Sequence, residues 1–400
     1  MSTAVDPIPI PSPPAADLRA GRPHLHIPVL DGLRGIAVIA VMLYHFAMSP
    51  AAKSGLNDVL VRVSRFGWIG VDLFFVLSGF LITGILIDAK KSDHYFRNFY
   101  ARRTLRIFPL YYAVLALFYL IAPHTNLYPV EGVAKAVKYQ AWFWLYASNF
   151  LTAIKGQWVF EQFTHFWSLA VEEHFYLFWP AIVYLVSQRN LARVCVAFIV
   201  GGLAIRMTFE AMGCNMYYAH LLTPSRVDSL AMGGLIAVLA REGKGLKSLA
   251  PIAQIVAGFC LISVAAIYAF IHDFQPGYPM AGKHGYPIVR TVGFTILALL
   301  FASILTLSVT AEPKGPAGRI LGGRVLRFFG KYSYALYIFH VLIVPPIREW
   351  VSPEKLSHTI GAFGGLVVHI ATCFAASILL ALLSWHLYEK HFLKLKRFFE

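Results

Sequence analysis

The chain has 400 residues, of which 58% are hydrophobic and 14% charged, a balance that excludes an ordinary water-soluble globular domain and points to long apolar spans. Its formal charge of +15 does not indicate nucleic-acid binding, because lysines and arginines gather in short segments between apolar runs, where the positive-inside rule predicts them. Cys195, Cys214, Cys260 and Cys373 are scattered singly, without a CxxC pair or ligand spacing, so neither a disulfide framework nor a metal site is expected.

Residues 1–28, with PIPIPSPP inside them, lack the basic start, apolar centre and cleavage site of a signal peptide and read as a disordered cytoplasmic tail. Apolar runs follow near 33–50, 68–87, 105–122, 137–154, 166–187, 191–211, 222–240, 249–271, 287–309, 332–347 and 360–387. The alternation of a barrel and the internal repeat of an inverted-repeat transporter are both absent. The run VKYQAWFWLYASNFLTAI at 137–154 is crowded with aromatics and carries Lys138 and Gln140 at one end, which suits a helix lying at the headgroup level. Without it about ten transmembrane helices remain. The expected fold is therefore all-α and polytopic, a membrane domain over 29–397 followed by a short C-terminal end at 398–400, with N- and C-termini cytoplasmic. Charge supports that orientation: the segments it places inside hold Lys90, Lys91, Arg97, Arg102, Arg103 and Arg106, then Arg319, Arg324 and Arg327, while the outer segments are poor in basic residues.

Arg34, Arg206, Arg226 and Arg290 fall inside or at the rim of spans, where a charge is expected to face a polar cavity or a partner. In LDGLRGIAVIAVMLYHF, Arg34 and His45 are eleven positions apart, which at about 100° per residue puts them on one stripe of a helix, facing one cavity. They lie roughly 16 Å apart along the axis, His45 in the outer half. Asp31 precedes Arg34 by three and is a natural N-cap and ion partner. Asp72 in GVDLFFVLSGFLITG enters from outside, as do Glu172, Glu173 and His174 in FWSLAVEEHFYLFWP, so carboxylates and two histidines converge on the level of His45. A carboxylate beside an imidazole fixes its tautomer and stabilises its protonated form, as a general base requires. The adjacent Glu172, Glu173 and His174 diverge around a helix and do not form a metal motif.

These segments, with RRTLRIFPLYY, TPSRVDSLAMGGLIA, GKYSYALYIFH and WHLYEKHFLKLKR, stand in an order that resembles the acyltransferase-3 family of integral-membrane O-acyltransferases, most of which acylate bacterial surface glycans or exported small molecules. The resemblance covers residue 29 to about residue 397. It implies ten spans in a bacterial plasma membrane, a cytoplasmic acyl-CoA donor, acetyl-CoA foremost, and transfer to a hydroxyl of a glycan or lipid-linked saccharide on the far side, with no metal. Carried onto this sequence, it makes Arg34 and His45 the essential pair, Arg103 and Arg106 the cytoplasmic RxxR motif and Glu389 the acidic residue near the C-terminus. The sequence departs from many members at His391, which stands where they have proline. It is also expected to lack the extracytoplasmic hydrolase-like domain that some relatives carry.

Residues and resemblance together give a cross-membrane relay. Arg102, Arg103 and Arg106 suit the phosphates of coenzyme A at the inner mouth. Arg34 takes phosphate or polarises the pantetheine arm, and His45 deprotonates the acceptor hydroxyl with Glu173 orienting its ring. Asp72, Glu172, Arg226, Asp228 and His340 are candidate substrate contacts; Arg226 and Asp228, too close in sequence to face each other, each require a partner elsewhere. Ser78, lacking a GxSxG elbow, reads as a helix-packing residue. The rival class is a secondary transporter of a polar solute that uses the same buried charges.

Overall fold

The structure, a computed structural model, describes residues 27–47, 55–242, 245–272, 274–276 and 286–399. The expected disordered tail lies outside the described residues except for Ile27 and Pro28. All secondary structure described is helical.

Helix α1 (Pro28–Phe46) starts three residues before Asp31. Proline presets the first helical φ and needs no donor, so Pro28 opens the helix after Ile27. Asp31 is therefore not the N-cap. It sits in the first turn, where a negative charge still favours the helix dipole. The amphipathic α2 (Gly55–Arg65) leads through a short 3₁₀ turn into α3 (Gly70–Ala89), and α4 (Tyr95–Ile121) carries the basic RRTLR stretch. The aromatic run at 137–154 is not one helix. It breaks, after α5 (Val130–Lys138), into α6 (Gln140–Trp144) and α7 (Ser148–Lys155), none long enough to cross a bilayer. Then come α8 (Phe166–Leu185), α9 (Gln188–Ala211), α10 (Met216–Leu221), α11 (Thr223–Leu239) and α12 (Ala250–Ile271). A π-helical turn at Val289–Gly293 introduces α13 (Phe294–Thr310). The chain closes with α14 (Pro316–Leu321), α15 (Arg324–Phe339), α16 (Val344–Trp350), α17 (Pro353–Ser384) and α18 (Lys390–Lys394). Helix α17 is kinked where Gly361 takes a left-handed φ of 74°. A π turn at Trp385–Glu389 joins it to α18, and the backbone stays helical through His391.

The chain is an all-α polytopic membrane protein. Among the described residues, seven helices are long and apolar enough to cross a membrane by length and composition: Pro28–Phe46, Gly55–Ala89, Tyr95–His124, Gln188–Ala211, Leu246–Ile271, Val289–Thr310 and Pro353–Phe399. The other three runs expected to span became α8, which carries Glu172 and Glu173, and the shorter α11 and α15, of 17 and 16 residues. Those three helices supply much of the polar interior, so the shortfall in apolar length falls where side chains meet protein instead of lipid. By contrast α12 shows Ile255, Ile262 and Phe270 on its outside, the last 88% exposed, a surface suited to hydrocarbon.

At the centre α1 packs on α15 and α3, and α3 packs on α11. Two glycine contacts allow the close approach. Gly79 of α3 lies against the Leu230 backbone of α11, and Gly233 of α11 lies against the Val76 backbone of α3, so a side chain at either would push the pair apart. That crossing puts Asp72 and Ser78 of α3 beside residues of α8 and α11.

Candidate active site

Two adjoining cavities occupy the core. The larger, about 380 Å³, is lined by Arg34 of α1, Arg102, Arg103 and Arg106 of α4, Glu172 and Glu173 of α8, and Lys396 near the C-terminus. Arg106 stands four positions after Arg102 and three after Arg103, spacings that share one side of a helix, which is how a single stretch of α4 presents three guanidinium groups to the same space. Arginines elsewhere in the membrane region have carboxylate partners: Arg206 meets Asp228 at 2.7 Å, Arg226 meets Asp72 at 2.5 Å, and Arg290 holds Glu210 through two bonds of 2.6 and 2.9 Å. Among the described residues, Arg34, Arg102, Arg103 and Arg106 form no ion pair. The Arg103 guanidinium lies over the Tyr176 ring at 5.3 Å, and the Tyr176 hydroxyl bonds Ser78 Oγ at 2.5 Å. Ser78 thus faces the cavity, contrary to the packing role expected of it; Gly79, one residue on, makes the helix contact. Glu389 accepts a hydrogen bond from Ser384 at 2.8 Å, and its charge reaches Arg106.

The smaller cavity, about 30 Å³, is lined by His45, Asp72, His165, His220 and Arg226, with Trp68 and Trp167 among its walls. Val71 and Tyr337 line both cavities and form the partition between them. Tyr337 is held there by Ser168 Oγ at 2.6 Å and by donation to the His165 carbonyl at 3.2 Å.

Three imidazoles cluster at this partition. The His45 and His340 ring centroids are 4.8 Å apart, and those of His165 and His340 are also 4.8 Å apart. Carbonyls only accept, so the rings' contacts assign their protons. His340 Nδ1 donates to the Tyr337 carbonyl at 2.7 Å, which leaves Nε2 as the acceptor. His45 Nδ1 lies 2.9 Å from the Val41 carbonyl and 3.2 Å from His340 Nε2, so Nδ1 carries the hydrogen. The unprotonated nitrogen of His45 is then Nε2, on a ring that lines the small cavity.

These positions alter the reading of the sequence at three points. Arg34 and His45 share a helix stripe but open into different cavities, because Val71 of α3 and Tyr337 of α15 come between them. Glu173 does not orient His45. It lines the larger cavity with Glu172, and the His45 ring is held by Val41 and His340 instead. The residue of the α8 region level with His45 is His165, and Glu172 lies roughly 10 Å further along the helix axis. His174 points away, bonding Thr223 Oγ1 at 2.7 Å. Asp72 and Arg226, two of the candidate substrate contacts, form a buried ion pair with each other beside His45. Asp228 pairs with Arg206 outside both cavity linings. Tyr337 carried no individual signal beyond its place in GKYSYALYIFH, and His165 and His220 lie just before FWSLAVEEHFYLFWP and TPSRVDSLAMGGLIA, outside the quoted segments.

A family model described as an acyltransferase domain matches residues 27–386. The chain belongs to the acyltransferase-3 family. Among curated relatives of this family member, peptidoglycan O-acetyltransferase OatA of Listeria monocytogenes (strain EGD-e) is 29% identical over 362 residues, covering 82% of this chain and 51% of that one. A Bacillus subtilis (strain 168) protein with the provisional name peptidoglycan O-acetyltransferase YrhL is 27% identical over 391 residues, covering 92% of this chain and 55% of that one. A provisionally named O-acetyltransferase of Staphylococcus aureus (strain COL) is 28% identical over 345 residues, covering 81% and 52%. The chain therefore spans about half the length of the curated relatives it matches. No solved structure matches it.

Proposed function

We propose that the protein moves an acetyl group from cytoplasmic acetyl-CoA to a hydroxyl of an envelope glycan, with peptidoglycan the foremost acceptor, using His45 as general base. The observation that carries this reading is the set of four guanidinium groups, without an ion pair among the described residues, around a cavity of about 380 Å³ that shares Val71 and Tyr337 with a chamber lined by histidines. Four guanidinium groups and Lys396 outnumber the carboxylates of Glu172 and Glu173 around this cavity, and an excess of positive charge held within a membrane protein suits an anionic ligand. Phosphates of coenzyme A suit Arg102, Arg103 and Arg106 through charge-assisted hydrogen bonds, with Arg34 and Lys396 adding to the field and Glu389 balancing Arg106. The adjoining chamber is where a thioester reaching past Tyr337 meets His45 Nε2. That nitrogen accepts the hydroxyl proton as the acceptor oxygen attacks the thioester carbon. The proton returns to the coenzyme sulfur as the carbon–sulfur bond breaks. His340 serves as a positioning residue for the His45 ring.

The reading includes ten spans, with α8, α11 and α15 joining the seven long apolar helices, both termini cytoplasmic, in a bacterial plasma membrane. The relatives named for peptidoglycan O-acetylation support the acceptor class. The test is purified protein in proteoliposomes, with labelled acetyl-CoA on one face and peptidoglycan fragments on the other. Label is expected in ester linkage with the fragments and lost on His45→Ala. Fragments left unlabelled by wild-type protein, or solute flux without any acyl product, would overturn the reading.

A further inference from the structure

The small chamber holds a group that general-base catalysis by His45 does not use. Arg226 is 1% exposed, and only one of its three guanidinium nitrogens is bonded: Nη2 donates to Asp72 at 2.5 Å. Nε and Nη1 are buried with no hydrogen-bond partner. The Phe294 ring lies 3.6 Å beneath the guanidinium, with Trp167 at 5.9 Å, so aromatic faces fix its plane while its remaining N–H groups belong to a residue that lines the void beside His45. Buried donors without acceptors are rare because each forfeits its hydration, and one that borders a cavity has its acceptor supplied by what enters. A void of about 30 Å³ admits a water or two or the head of a small acyl group.

We propose that Arg226 is a catalytic residue, the electrophile that holds the acyl oxygen during transfer; this rests on the acetyl-transfer reading above. As the acceptor oxygen bonds to the thioester carbon, the carbonyl π electrons move to oxygen, and that oxyanion accepts from one of the two unbonded donors of Arg226, Nε or Nη1. Collapse restores the carbonyl and expels the coenzyme thiolate, which takes the proton held by His45. Charge closes at every stage: Asp72 balances Arg226, and the imidazolium formed at His45 balances the oxyanion. Donors fixed in a water-poor site before the reaction do not have to reorganise when charge develops, which is why such groups carry large rate effects.

Single-turnover acetyl transfer by Arg226→Lys, which keeps a cation opposite Asp72, and by the Asp72→Asn/Arg226→Gln double variant, which removes both charges, tests this. Thermal unfolding in detergent and coenzyme A binding at the arginine-lined cavity report on folding. The rate is expected to fall about 10²–10³-fold in each, with coenzyme A affinity unchanged. Fluoroacetyl-CoA separates catalysis from structure, since fluorine stabilises an oxyanion with almost no added size. The fluoroacetyl-to-acetyl rate ratio should rise roughly tenfold in the variants relative to wild type, whereas a structural defect slows both donors alike. Variants that retain wild-type rates, or lose rate with the ratio unchanged, overturn the role of Arg226 alone. A wild-type protein that transfers nothing from acetyl-CoA overturns the donor reading beneath it.

Discussion

Replacing Arg103 and Arg106 together by glutamine removes two of the four unpaired guanidinium groups of the larger cavity while keeping side-chain length and polarity. Each such group contributes roughly 1.5–3 kcal/mol through a charge-assisted hydrogen bond to phosphate. Two therefore contribute about 3–6 kcal/mol if they act independently. Arg34, Arg102 and Lys396 still line the cavity and share the load, so the expected loss lies at the lower end, about 3 kcal/mol, or about 10²-fold in Kd. Isothermal titration of coenzyme A into the detergent-solubilised protein measures it, and raising salt should weaken wild-type binding more than the variant's. At saturating donor the transfer rate should change little, because neither arginine lines the chamber of His45. A Kd within about threefold of wild type would refute the assignment of this cavity to the donor phosphates.

The remaining predictions concern the partition, the base and the buried ion pair. Tyr337→Ala should open the two cavities to each other and raise acceptor-independent hydrolysis of acetyl-CoA, read by thiol release, whereas Tyr337→Phe keeps the ring and should not; equal leakage from both would remove Tyr337 as the divider. His340→Phe deletes the acceptor facing His45 Nδ1 but leaves the Val41 carbonyl, so kcat should fall about tenfold with the donor KM unchanged. An unaltered kcat would deny His340 a positioning role. Asp228→Asn leaves the fully buried Arg206 without its counter-ion and should cost about 3–5 kcal/mol in thermal unfolding measurements. Arg206→Met combined with Asp228→Leu should recover part of that loss, and a double variant less stable than Asp228→Asn would contradict this account of the pair.

The helical fold was legible because the signal is strong: long apolar runs interrupted by basic loops leave few alternatives. The aromatic run at 137–154 could also be set apart from the spans, since Lys138, Gln140 and its crowded rings do not suit hydrocarbon. A helix wheel gives azimuth, however, and the site is organised by what lies between helices. Arg34 and His45 share an azimuth on α1, yet the side chains that separate their surroundings come from α3 and α15, which no local pattern relates to α1. Depth failed for the same reason. Counting from the start of α8 put Glu173 beside His45, but the chain turns at His165, and it is this histidine that meets His340. The need of Arg226 and Asp228 for partners elsewhere was readable from their spacing, while the identity of Asp72 depends on the close α3–α11 crossing that Gly79 and Gly233 permit, and that of Arg206 on α9, where Gly202 lies against Asp228.

The central claim is that the arginine-lined cavity and the histidine-lined chamber are two parts of one donor path. A cryo-EM structure with a non-hydrolysable acetyl-CoA analogue, its sulfur replaced by methylene, tests this most directly. The account predicts phosphates bonded to Arg102, Arg103 or Arg106, the acyl arm passing Tyr337, and the acyl carbonyl beside His45. An analogue whose phosphates lie outside the arginine-lined cavity, or whose acyl end points away from His45, would contradict it.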